Sequence, residues 1–365
     1  MTTPETKPFP ILAAVTLAGM ILFFIWVIQG SSNQPQQSTW VTSWKIEPSF
    51  HYPRRAPAAV AYKGFLYIVG GIDGNNRYVH TVEYAAINKD GSLNTWKTTT
   101  ALKEGRFYNA VIAANGYLYT IGGGSGAPGT HNYPIASVER AKINTDGSLG
   151  KWQIVSQLLT PRRGLKAILY QNTIYAIGGY DGRFLKSTER STIQSDGSLS
   201  PWRMEQHDSI IDRYIHSAAK INEHIYLLGG HMKDPRKTSY SDVESSHIQS
   251  DMSLGKWQFQ ADSLQTPRLV AEAFSLNQYI YIAGGHTGNN RLTSVEMSRT
   301  DKDGKLAPWR QTTPLLTPRS AYAIATYQNH VYVLGGAGEP LPLNDAHMAS
   351  ANLRGELGYS MPTLD

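Results

Sequence analysis

Short runs of β-branched and aromatic residues, broken by glycine and by polar pairs, recur along this chain at even spacing. Between Gly164 and Gly179 the runs GLKAILY and TIYAIGG flank the turn pair Gln171-Asn172, which is the pattern of a β-hairpin. A loop follows the glycine pair, then STERSTI, then the turn Asp196-Gly197, then the run PWRME. One unit therefore predicts a four-stranded antiparallel meander.

Five other stretches share this skeleton, and fixed spacings define the register. Glycine pairs begin at Gly70, Gly122, Gly178, Gly229, Gly284 and Gly335. An arginine stands 16 positions before each, at Arg54, Arg106, Arg162, Arg213, Arg268 and Arg319. A tyrosine stands three before each, from Tyr67 to Tyr332. In five units a glutamate precedes a tryptophan by 13 positions: Glu83 and Trp96, Glu139 and Trp152, Glu189 and Trp202, Glu244 and Trp257, Glu296 and Trp309. The spacing of 52 from Gly70 to Gly122 falls in the range of propeller blades.

The apolar strand, the Gly-Gly pair and the downstream tryptophan resemble the kelch motif, over about Trp40 to Ser360. The resemblance implies an all-β, six-bladed propeller with four-stranded antiparallel blades. The added Val-Glu and Asp-Gly-Ser-Leu elements look like a bacterial branch of the repeat, which implies no particular activity. The sixth unit lacks its tryptophan, whereas Trp44 stands ten positions before Arg54, the spacing of a fourth strand without its first three. The segment Trp40–Ile46 is expected to supply the outer strand of blade six, covering an edge that would otherwise stay unpaired.

Ahead of the repeats, residues 9–28 form an uncharged apolar run. At about 1.5 Å per residue it would span about 30 Å, the thickness of a bilayer core. It exceeds the apolar region of a cleaved signal peptide. The expected organisation is a cytoplasmic tail at 1–8, a transmembrane signal-anchor helix at 9–28, a linker at 29–39, the propeller at 40–360 and a tail at 361–365. Lys7 precedes the run and no charge lies in residues 29–44, so the positive-inside rule places the N-terminus in the cytoplasm. A single-pass protein with an extracytoplasmic (periplasmic or extracellular) propeller follows.

Composition narrows the chemistry. The chain has 365 residues, 41% apolar and 17% charged, which suits a globular domain. Cysteine is absent, so disulfides, thiolate catalysis and zinc-cysteine sites are excluded, as is the cysteine-linked tyrosine that a galactose-oxidase-like propeller needs. The net charge of +6 is scattered and not clustered, which argues against a nucleic-acid partner and suits anionic lipid headgroups better.

In a meander blade the turns joining strands one to two and three to four share one face of the disc. Here they are uniform: short polar pairs and the Asp-Gly-Ser-Leu turn, with Met252 where glycine stands elsewhere. On the opposite face the connection from glycine pair to glutamate varies between 11 and 17 positions. Loop variation on a rigid scaffold is where binding concentrates. That face carries Asn76 and Arg77, His131 and Tyr133, Tyr180 and Arg183, His231, Lys233 and Arg236, and His286 and Arg291.

Candidate ligand-binding residues are the arginine ring, Arg54, Arg106, Arg162, Arg213, Arg268 and Arg319, with Arg55, Arg163, Tyr108, Tyr180, Tyr214, His231, His286 and Tyr322. The ring arginines either hold blades together, paired with the repeat glutamates, or line the channel mouth and bind a carboxylate. Arg55, Arg163, Tyr108, Tyr214 and Tyr322 break the repeat and are better placed for recognition. The pattern Asp208-x3-Asp212-x3-His216 is similar to the acid-x3-Asp-x3-His signature of iron-dependent nitrile-specifier propellers, and offers a weak divalent-metal site. No other cofactor is indicated. The expected role is an extracytoplasmic module binding a protein or glycan on the variable face. The alternative is a small-molecule enzyme, such as a sugar-acid mutarotase or epimerase, with Glu104, Asp212 and Glu339 as acid-base candidates.

Overall fold

A computed structural model describes residues 38–126, 132–233, 237–339 and 341–362. The expected transmembrane helix at 9–28, its tail, most of the linker, His131 and Arg236 lie outside the described residues. Residues 42–359 form one compact unit. A second, small unit holds Ser38–Val41 and residues 360–362 among the described residues.

The larger unit is all-β. Among the described residues, six antiparallel blade sheets follow the repeats in order, five of them four-stranded. A two-stranded ribbon of Gly124–Ser125 and Tyr133–Pro134 sits in the variable connection of blade two. Blade three shows the pattern: Lys166–Tyr170, Thr173–Ile177, Thr188–Thr192 and Arg203–Met204 pair successively, innermost to outermost. The hairpin turns require a left-handed residue, supplied by Lys63, Asn115, Gln171, Asn222, Asn277 and Gln328. Met252 takes the same strained conformation at φ 65°.

Apolar clusters fill the spaces between blades. Tyr67, Val69 and Val82 of blade one, for example, pack with Leu118, Ala141 and Trp152 of blade two. Polar contacts then set the angle between neighbours. The hydroxyl of each strand-two tyrosine donates to a carbonyl in the next blade's Asp-Gly type turn: Tyr67 to Gly147 (2.8 Å), Tyr119 to Gly197 (2.7 Å), Tyr175 to Met252 (2.7 Å), Tyr226 to Gly304 (2.7 Å), Tyr281 to Gly355 (2.9 Å) and Tyr332 to Gly91 (2.7 Å). The repeated tyrosine and the repeated turn are thus two halves of one joint. Glycine is required where blades approach closest, since a Cβ at Gly122 would lie 2.6 Å from the Arg162 carbonyl.

Blade six is composite. Its inner strands Ala323–Tyr327, His330–Gly336 and Leu343–Ala351 come from the C-terminal part of the chain. Lys45–Glu47 pairs antiparallel with the third of these, setting Lys45 opposite Met348 and Glu47 opposite Ala346. Leu357 and Gly358 pair with the same strand further along, opposite Ala351 and Ser350. The outer edge is therefore shared between the two ends of the propeller sequence, and the C-terminal strand was not apparent from the repeat pattern. Glu47 accepts the Leu93 amide of blade one (2.6 Å), and Trp44 is buried against blade five, its indole N–H donating to the Thr313 carbonyl.

Candidate functional site: the channel mouth and the variable face

The six repeat arginines are fully buried, and each bonds to groups inside the propeller, although Nε of Arg106 and of Arg319 lacks a hydrogen-bond partner. Arg162 donates from Nη1 to the carbonyls of Gly178 (2.9 Å) and Ser187 (2.8 Å), and from Nε and Nη2 to Oε1 of Glu189 (3.0 and 2.9 Å). Glu189 in turn accepts the amides of Leu159 (2.6 Å) and Thr160 (3.0 Å) in the connection from the preceding blade. Equivalent ion pairs join Arg54 to Glu83, Arg106 to Glu139, Arg213 to Glu244 and Arg268 to Glu296. Blade six departs from the pattern: Arg319 pairs with Asp345 (2.7 Å), and His347 occupies the glutamate's place. Burial lowers the Arg54 guanidinium to about 10, against the opposing pull of Glu83, so it stays cationic at neutral pH. Arg54, Arg106, Arg162, Arg213, Arg268 and Arg319 are therefore structural nodes with no surface offered to a ligand, which corrects their candidacy as binding residues.

Two positions after each arginine the chain turns sharply into the innermost strand. Ala56, Tyr108, Gly164, Ile215, Val270 and Ala321 all adopt positive φ, from 46° to 63°. Five amides of this set donate to the equivalent carbonyl of the preceding blade: Ala56 to Ala321 (2.6 Å), Tyr108 to Ala56 (2.9 Å), Gly164 to Tyr108 (2.8 Å), Val270 to Ile215 (3.0 Å) and Ala321 to Val270 (2.9 Å). A nearly continuous backbone ring rims the channel mouth, interrupted between Gly164 and Ile215. Only one of the six residues is glycine, and β-branched Ile215 and Val270 are the most strained; such strain persists where surrounding structure enforces it.

Behind this ring lies a small recess lined by, among others, Asn109, Lys166, His216, Glu272 and Tyr322. Lys166 of blade three reaches Glu272 of blade five, with Nζ 2.6 Å from both carboxylate oxygens. Burial raises the Glu272 carboxyl, and the nearby Lys166 opposes that rise. Neither residue was singled out from the sequence. The signal was present: four positions after the repeat arginine the other blades carry only Ala58, Ala110, Ser217 and Ala323.

His216 is 1% exposed and neither ring nitrogen has a partner. Its pKa is driven well below the ordinary value, first by burial and then by Lys166 and Arg213. Asp212 is engaged by Lys233 at the surface. Among the described residues no group of three or more histidines and carboxylates is placed to hold a metal, so Asp208, Asp212 and His216 do not form the site their spacing suggested.

Outside the ring, blades three and four build an aromatic and cationic cluster. The Arg163 guanidinium lies 4.7 Å from the Tyr180 ring centroid and 5.6 Å from that of Tyr214. Phe184, absent from the sequence-derived candidates, joins Tyr180 (6.0 Å), Tyr214 (5.7 Å) and His231 (5.4 Å). Tyr108 meets the edge of Tyr214 at 6.4 Å. Tyr180 and Phe184 border an open groove of about 950 Å³ with Arg183, Lys186, Asp208 and Lys233. The remaining candidates lie apart from this cluster. Arg55 donates to Asn76 (2.7 Å) on blade one, and His286 accepts the Gly288 amide (2.9 Å) on blade five. Tyr322 is buried, donating to the Ala283 carbonyl (2.5 Å), and is a packing residue and not a recognition residue.

Comparison with known proteins agrees with this architecture. No family model matches the chain. Alpha-scruin of Limulus polyphemus is 24% identical over 264 residues, which is 71% of this chain and 27% of that protein. Kelch-like protein 35 of Mus musculus is 30% identical over 142 residues, 39% of this chain and 22% of that protein. The kelch repeat protein M-T8 of Myxoma virus (strain Lausanne) is 26% identical over 142 residues, 39% of this chain and 25% of that protein. The chain thus spans about a quarter of the length of these relatives. The solved structure of YjhT superposes with a TM-score of 0.68 at 14% identity, covering 86% of this chain and 99% of that one, a likeness of fold. Six repeats in one register, six blade sheets in a ring and the likeness to kelch proteins together support a kelch-repeat β-propeller.

Proposed function

We propose that this propeller is a protein-binding module that docks its partner on the variable face of blades three and four. We further propose that residues 9–28 tether it to a membrane in a bacterial-type cell, with residues 1–8 cytoplasmic and the propeller extracytoplasmic. The observation that carries the docking reading is the cluster of Arg163, Tyr180, Phe184, Tyr214 and His231 beside an open groove. Aromatic and arginine side chains that are only partly covered are the residue types that dominate binding hot spots. Propellers of the kelch type commonly bind proteins, which is consistent. The enzyme alternative has no support in the site: Asp212 is neutralised by Lys233 and the His216 nitrogens are sealed from solvent.

A photo-crosslinking amino acid at Arg183, whose side chain is 84% exposed, tests the docking reading in cells. Discrete protein adducts from position 183 are expected, and Tyr180→Ala with Phe184→Ala should weaken them at least about tenfold. Adducts formed only from Ser195, on the opposite face, would overturn it. A soluble carbohydrate that competes the adducts away would place a glycan on the same cluster. Extraction with alkaline carbonate tests the tether: the chain is expected to stay with the membrane pellet, and its release would sink the anchor.

A further inference from the structure

The uniform face is broken in one place. Five blades end their third strand in a turn carrying an aspartate, at Asp90, Asp146, Asp196, Asp251 and Asp303. The position before the aspartate is polar in each: Lys89, Thr145, Ser195, Ser250 and Lys302. In blade six the same two positions are Leu353 and Arg354. An acid becomes a base, and a polar residue becomes a leucine that is 98% exposed, the most exposed large apolar side chain among the described residues. Arg310 of blade five adds a second guanidinium, donating to the Arg354 carbonyl (2.5 Å).

Blade six is also where the N-terminal part of the chain joins the propeller, and the strand register fixes from which side. Leu343–Ala351 runs from the variable face to the uniform face, ending in the turn that bears Leu353. Lys45–Glu47 is antiparallel to it, with Lys45 opposite Met348 and Glu47 opposite Ala346. The chain therefore arrives at Trp44 on the side of the uniform face. In sequence, only residues 29–37 separate the strand Ser38–Val41 from the apolar run.

We propose that the Leu353–Arg354 turn of blade six, with Arg310, is a contact site for an anionic bilayer surface. Leu353 enters the headgroup boundary and the two guanidinium groups pair with lipid phosphates. The uniform face then turns toward the membrane and the variable face points away from it. This inference rests on the membrane tether proposed above. It gives an exposed leucine and a reversed charge a common purpose, at the blade into which the N-terminal strand Lys45–Glu47 is built.

The absence of cysteine makes the test direct, because one introduced cysteine is a unique label. Full-length Leu353→Cys carrying an environment-sensitive fluorophore is incorporated into nanodiscs of phosphatidylcholine, with or without phosphatidylglycerol. The label at 353 is expected to emit at shorter wavelength and resist iodide quenching in the anionic discs. The same label in Ser195→Cys, at the equivalent turn of blade three, should do neither. Arg354→Glu with Arg310→Glu should lower the fraction of protected label at least about tenfold. Equal emission and quenching at 353 and 195 would overturn the proposal. If the chain fails to incorporate, the tether itself is refuted. Phosphatidylglycerol vesicles are then added to the same labelled chain: a blue shift at 353 alone supports the contact site, and none overturns it.

Discussion

Arg162 and Arg163 are chain neighbours with opposite environments, and replacing each separates structural from surface roles. Arg162 is fully buried, bonded to two carbonyls and to Glu189, which itself holds two backbone amides. Removing one partner of such a buried pair costs about 3–5 kcal/mol. Arg162→Met keeps most of the volume and leaves Glu189 its two amides, which places it near the lower figure. Glu189→Leu strands the guanidinium and both amides, and belongs near the upper one. The double variant should be less damaging than the two losses added, by about 1–3 kcal/mol, because neither charge is then left alone. Urea unfolding followed by tryptophan fluorescence reads these values: with a slope of about 3 kcal/mol per molar, a loss of 3 kcal/mol moves the midpoint by about 1 M. Arg163→Ala, at the rim, should move it by less than about 0.3 M while weakening crosslinks from position 183. An unchanged midpoint for Arg162→Met, or strict additivity in the double variant, would refute the assignment of these arginines as structural nodes.

Three further outcomes follow from the same geometry. His216→Leu removes two unpartnered buried nitrogens and should raise the unfolding midpoint; since the native pKa is depressed below the ordinary 6.5, the wild type binds fewer protons than its unfolded chain and loses stability as pH falls below about 6.5. The variant should lack that part of the pH slope, and identical slopes would show that burial does not hold His216 neutral. Tyr119→Phe deletes one joint between blades and should cost about 0.5–1.5 kcal/mol by urea unfolding, with a loss above 3 kcal/mol pointing to more than that hydrogen bond. Trp44→Ala should cost about 3–5 kcal/mol, because its buried indole seats the closing strand of blade six; a cost under 1 kcal/mol would mean that Leu357 and Gly358 suffice to cover the edge.

The blade pattern was legible because each element of the repeat satisfies a neighbour. Arginine appears 16 positions before each glycine pair because its guanidinium bonds that glycine's carbonyl, as Arg162 does with Gly178. The strand-two tyrosine recurs because its hydroxyl needs the next blade's turn. Such contacts fix spacing, so counting residues recovers them. The second half of the blade-six edge left a weaker trace: Leu357 keeps the buried leucine position that Leu93 and Leu149 hold after the other turns, but Arg354 and Glu356 replace the Asp and Ser around Gly355, and Gly358 pairs only through its backbone. The positive-φ ring at the mouth escaped notice for a similar reason: Ala56, Tyr108, Ile215, Val270 and Ala321 share a conformation and no side-chain signature, and only Gly164 announces it.

For the site, the informative residues are those that leave the register, and their meaning depends on where the blade points them. Lys166 and Glu272 replace small residues at one repeat position and meet across the channel, so two separate departures form a single neutral pair. Arg163 sits one position past a node, where the side chain emerges onto the variable face over Tyr180. Tyr322 also broke the pattern, yet its hydroxyl turns inward to the Ala283 carbonyl and its departure is one of packing. The sequence shows that a position has been released from the repeat; only the fold shows whether the new side chain faces a neighbour, the channel or solvent. Leu353 and Arg354 are such a departure facing solvent, on the side from which the N-terminal segment arrives. A single exposed leucine is ordinary on a protein surface, so the bilayer contact rests on Leu353 together with the acid-to-base change at Arg354 and the neighbouring Arg310, and not on the leucine alone.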